Sequence, residues 1–145
     1  MLALLLAACR APGAGRPALS PSEPVAAGAA GTPAGPLLAP GQQSGDLRAW
    51  LVSTPPQPAS GNAQIEMVIA GTDGQPVEGA RVTYDTDMTN MSHGLYEVQA
   101  EPVAPGRYGA RVHFSMPGPW RIIASVERPG QPPVRLRFEF GVKIR

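Results

Sequence analysis

The chain has 145 residues, 17 of them glycine and 18 proline, with a formal net charge of +1 and a single cysteine. That leaves room for one domain plus a stretch of linker. It supplies no concentrated basic footprint for nucleic acid and excludes an internal disulfide.

Residues Met1 to Ala8 read M-L-A-L-L-L-A-A and end at Cys9. This apolar run is far short of the roughly 20 residues needed to span a bilayer. Leu6-Ala7-Ala8-Cys9 resembles the bacterial lipobox, in which small residues before the cysteine admit signal peptidase and the thiol receives a diacylglycerol. The resemblance implies lipidation at Cys9 and a membrane held through an acyl anchor, each buried methylene contributing about 0.8 kcal/mol. A basic stretch ahead of the apolar run, usual in signal peptides, is missing here. Residues 1–9 are therefore assigned to the signal and its cysteine.

Residues 10–45 are mostly Ala, Gly, Pro and Ser, with Leu19, Val25, Leu37 and Leu38 as the larger apolar groups. Such a segment cannot bury enough surface to offset its ordering entropy. It is expected to be a disordered, semi-extended tether.

From Asp46 onward, short runs alternate with period two between turn residues, which predicts strands. The expected strands are Leu47–Val52, Gln64–Ala70, Ala80–Tyr84, Tyr96–Glu101, Arg107–Phe114, Trp120–Val126 and Val134–Phe140. Asp73-Gly74 supplies a tight turn after the second, and Pro117-Gly118-Pro119 another before the sixth. Tyr108, Ala110, Val112 and Phe114 share an inward face with Trp120, Ile122, Ala124 and Val126, while Arg107, Arg111 and His113 point outward. Seven short strands predict an all-β, immunoglobulin-like antiparallel sandwich over residues 46–145. Met67 belongs to its core.

The chemistry concentrates in Met88-Thr89-Asn90-Met91-Ser92-His93. Two thioethers and an imidazole form a soft donor set suited to monovalent copper, Cu(I), and a thioether binds without losing a proton. In extended backbone Met91 and His93 share a face while Met88 lies opposite, so a turn is needed to unite them. Met116 and His113 are further candidate ligands. The alternative is that the methionines fill the edge of the core and His93 is an ordinary surface histidine. Asp85, Asp87 and Asn90 fail the spacing of a calcium loop, and no bidentate Glu follows. Ser92 beside His93 lacks a third orienting group, so no catalysis is expected.

Asp73-Gly74-Gln75-Pro76-Val77-Glu78-Gly79-Ala80-Arg81-Val82 looks like a hairpin common to exported immunoglobulin-like modules. Followed by the Met88–Gly94 loop, Pro105-Gly106-Arg107-Tyr108 and Phe114-Ser115-Met116-Pro117-Gly118-Pro119-Trp120, it resembles the YtkA-like and FixH-like domain over about residues 60 to 130. The resemblance implies a small extracytoplasmic sandwich linked with copper handling in the bacterial cell envelope. Thr89 stands where that family usually has Pro, and the membrane helix of FixH-like proteins is missing from this sequence. The expected role is a lipid-anchored copper-binding accessory protein that buffers copper or passes it to a recipient protein. The alternative is a metal-free immunoglobulin-like interaction module of an envelope complex.

Overall fold

The alternation read from the sequence becomes eight strands in a computed structural model that describes residues 31, 33–91 and 94–145. They are β1 (Leu37–Ser44), β2 (Leu47–Thr54), β3 (Gly61–Gly71), β4 (Arg81–Met88), β5 (Tyr96–Ala104), β6 (Arg107–Phe114), β7 (Gly118–Glu127) and β8 (Val134–Val142). Every ladder is antiparallel, and the strands join in one sheet of order β1-β2-β3-β6-β5-β4-β7-β8. β8 returns beside β1, so the sheet curls into a nearly closed barrel.

Two expectations are thereby corrected. The strand count is eight rather than seven, because residues 37–44, assigned to the tether, form β1. Pro40, Gly41 and the polar run after them hide that strand from any periodicity, yet an edge strand tolerates proline. The β1–β2 ladder shifts register between Leu37 and Ala39 and again between Ala39 and Gln42, which accommodates Pro40. A Cβ on Gly41 would lie 2.6 Å from the Trp50 ring, so the glycine gives the indole its seat.

The second correction concerns the two separate sheets of a sandwich. Here β5 joins the halves: Tyr96–Ala100 pair with β4 at Thr86–Val82, whereas Glu101, Pro102 and Ala104 pair with β6 at Gly109, Tyr108 and Arg107. Alternation along a strand fixes which face is buried but not which neighbour it pairs with.

The inward faces follow the pattern. Leu47, Ala49 and Leu51 of β2 and Ile65, Met67 and Ile69 of β3 are fully buried. They meet Tyr108, Val112 and Phe114 of β6, Trp120 to Val126 at alternate positions of β7, and Leu136 and Phe138 of β8. Burying one such side chain contributes about 1.5–3 kcal/mol. Tyr84 crosses this interior to donate a 2.7 Å hydrogen bond to the Tyr108 carbonyl, tying β4 to β6. Burial pushes its hydroxyl far above the usual phenol range, so it stays a donor.

At one end of the barrel, Arg128 grips Asp46 through two 2.8 Å hydrogen bonds. Hydrogen bonding from Arg128 holds the Asp46 carboxyl below the usual carboxylate range. A depressed folded-state value means this contribution is present above the unfolded value of about 3.9 and is lost as pH falls through the folded value. Asp46→Asn should therefore shift the urea midpoint downward at pH 6 relative to the unsubstituted chain, and the difference should shrink below about pH 4. A difference that is independent of pH would deny the pair this role.

Candidate metal centre

β4 runs further than the alternation suggested, because Thr86, Asp87 and Met88 are all buried. Asp87 explains the extra length. Its carboxylate accepts a 2.8 Å hydrogen bond from the Met88 backbone N–H and a 3.0 Å bond from Arg121 Nη2 on β7, its register partner. A carboxylate at 5% exposure needs such partners. Met88 is thus the last residue of a strand, opposite Trp120, rather than part of a free loop.

The partner exchange of β5 opens the sheet beside it. β6 beyond Gly109 has β3 as its ladder partner, while β5 before Glu101 has β4. In this divergence lies a pocket of about 420 Å3 lined by Thr86, Asp87, Met88, Gly94, Tyr96, His113, Ser115, Met116 and Trp120.

Three of the five candidate ligands, Met88, Met116 and His113, therefore line one space. They come from β4, from the turn before β7 and from β6, and none is a sequence neighbour of another beyond the short step from His113 to Met116. Met91 is 47% exposed and is not among the lining residues. His93 and Ser92 fall outside the described residues, as does Cys9.

The turn is fixed rather than loose. Trp120 Nε1 donates a 3.0 Å hydrogen bond to the Met116 carbonyl, and Thr89 N donates one of 3.1 Å to the Pro119 carbonyl. Gly118 adopts φ 139°, and a Cβ on it would come 2.8 Å from Met88 Cε. Met88 and Met116 are thus positioned by one structural unit. Trp120 packs edge-on against Phe114 with centroids 5.2 Å apart, and Phe114 against Phe140 at 5.7 Å. The pocket's back wall is consequently continuous with the core.

His113 sits on the outer face of β6, where its Nδ1 lies 3.0 Å from Asn62 Oδ1 on β3. Among the described residues no three His, Cys, Asp or Glu side chains gather. The thioether and imidazole side chains among the pocket's lining residues are those of Met88, Met116 and His113, and thioethers with an imidazole are a set matched to a soft monovalent ion rather than to a hard divalent one. Asn62, Trp120, Tyr96 and Gly118 were not legible as site residues. Only the β3–β6 register, which pairs Asn62 with His113, could have pointed to the first of them.

Among solved structures, the chain is similar in fold to FetP of uropathogenic Escherichia coli strain F11, isolated from recombinant periplasmic expression. The two share 14% identity with a TM-score of 0.59, covering 74% of this chain and 95% of FetP. A copper-bound variant of FetP gives 13% identity and a TM-score of 0.61, covering 76% and 94%. A DUF4426 family protein from Pseudomonas aeruginosa gives 19% identity and a TM-score of 0.53, covering 73% and 98%. No curated protein matches the chain. The YtkA-like family model matches residues 41–125, from within β1 to within β7, and the chain accordingly belongs to the YtkA-like family.

Proposed function

We propose that this protein is a lipid-anchored, extracytoplasmic copper-binding accessory protein, which holds Cu(I) for buffering or for delivery to a recipient protein. The observation that carries the reading is the convergence of Met88, Met116 and His113 on one pocket walled by Trp120. Thioethers and a neutral imidazole stabilise a soft ion without requiring a thiolate. Met91 and His93, which follow β4 in the sequence, are the further donors of the proposed set. The fold shared with a protein whose variant has been seen with copper supports the reading, as does the YtkA-like membership. Export and anchoring rest on the Leu6-Ala7-Ala8-Cys9 motif. No catalytic role is proposed.

The test is an anaerobic Cu(I) titration of the whole chain carrying Cys9→Ser, so that the thiol cannot compete, against a chromogenic chelator. One-to-one saturable binding is expected. A Met88→Ala, Met116→Ala, His113→Ala triple variant should lose it, and Met91→Ala or His93→Ala should each weaken it. Binding unchanged in the triple variant would refute the site.

A second reading, a metal-free interaction module, is favoured by one feature. Met91, Leu95 and Tyr96 expose 47%, 65% and 71% of their surface close together in sequence at the approach to the pocket. Partner capture by the copper-free chain, abolished by Leu95→Asp, would support it.

A further inference from the structure

We infer that Asn62 is the positioning residue that selects Nε2 of His113 as the nitrogen presented to a metal ion. The inference rests on the copper reading above and adds to it a residue outside the ligand set.

Asn62 and His113 are direct partners in the β3–β6 ladder. Both point to the outer face, so their side chains meet without passing through the core. Asn62 Oδ1 stands 3.0 Å from His113 Nδ1. A carboxamide oxygen only accepts, so this contact is a hydrogen bond only in the neutral tautomer that carries its proton on Nδ1, and it favours that tautomer, with the lone pair on Nε2. A metal binds the lone pair, and a hydrogen bond at the opposite nitrogen fixes both tautomer and ring orientation. His113 is exposed, and no other hydrogen bond to its ring is present among the described residues. Without Asn62 the imidazole would rotate freely and divide itself between tautomers. The neighbour has no part in wrapping the core, since its side chain is exposed, so its replacement should spare the fold.

Two variants and two readouts test this in the full chain carrying Cys9→Ser. Asn62→Leu keeps the approximate shape and removes the acceptor, whereas Asn62→Asp keeps an acceptor at the same place. The first readout is the imidazole nitrogen spectrum of the copper-free protein by long-range 1H–15N NMR. The chain has two histidines, so a His93→Ala background assigns the signals. The unsubstituted chain should show His113 protonated on Nδ1, Asn62→Asp should keep that pattern, and Asn62→Leu should shift toward a mixture. The second readout is Cu(I) affinity by chelator competition, expected to fall about 10- to 100-fold in Asn62→Leu and to recover in Asn62→Asp.

Protonation of His113 on Nε2 in the unsubstituted chain would overturn the inference, as would an affinity unmoved by Asn62→Leu. Failure of the unsubstituted chain to bind copper would remove the copper reading and the metal role of Asn62 together. In that event the tautomer measurement would still decide whether Asn62 orients the ring, which keeps the two failures distinguishable.

Discussion

Phe114→Ala is expected to lower the free energy of unfolding by about 3–5 kcal/mol, measured by equilibrium urea denaturation. The ring is fully buried at the end of β6. It stands edge-on to both Trp120, at 5.2 Å and 73°, and Phe140, at 5.7 Å and 83°. These three rings hold β6, β7 and β8 together without a disulfide. Truncation removes the transfer free energy of the ring, its two aromatic contacts and, to the extent that neighbours cannot collapse, leaves a cavity. The ladders on either side limit that collapse, because β6 is paired to β3 through Phe114 itself, and Trp120 is paired to both Met88 and Phe140. For a domain whose total stability is on the order of 5–15 kcal/mol, the loss is a large fraction. Phe114→Leu should cost much less, because most of the volume is retained. A loss below about 1 kcal/mol in the alanine variant would mean that the rings repack freely, and would contradict a rigid wall behind the pocket.

That wall was legible in the sequence, but the pocket in front of it was not. Phe114 and Trp120 fall at inward positions of two strongly alternating runs, so their burial followed from period two alone. The first strand was lost because Pro40-Gly41-Gln42-Gln43 has no apolar alternation to read. Its place is secured by β2 and by two register shifts, which are properties of the pairing and not of the run. The end of β4 was lost for a different reason. Asp87 interrupts the apolar pattern, and nothing local announces that Arg121 will stand across the ladder to receive its carboxylate. With β4 ended too early, Met88 looked like a loop residue free to turn toward Met91.

The candidate ligands themselves were identified by chemistry, since thioethers and imidazoles are few in this chain. What the sequence left open was which of them share a space. His113 and Met88 are brought to one pocket by the divergence of β5 from β6, a consequence of long-range pairing that alternation cannot encode. The same holds for Asn62, whose meeting with His113 depends wholly on the β3–β6 register.

Gly118→Ala separates the stability of this end of the barrel from the geometry of its thioethers. Gly118 lies at φ 139°, a region that L side chains rarely enter, and the added methyl would stand 2.8 Å from Met88 Cε. The two consequences differ in kind. Backbone strain at such a φ costs about 1–3 kcal/mol wherever the neighbours move, and should appear in full in urea denaturation. The clash is cheaper, because the atom struck is the far end of a flexible side chain; Met88 turns aside and carries its sulfur with it. On the copper reading, affinity for Cu(I) should therefore fall about tenfold, as expected when a group that orients a ligand is altered. A double-mutant cycle with Met88→Ala divides the effects. In the Met88→Ala background, Gly118→Ala should destabilise the fold by nearly the same amount and yet have no further effect on affinity, because the displaced sulfur is already gone. If Gly118→Ala weakened Cu(I) binding equally in both backgrounds, Met88 would not be a ligand, and the donor set would have to be sought in Met116, His113 and the segment that follows β4.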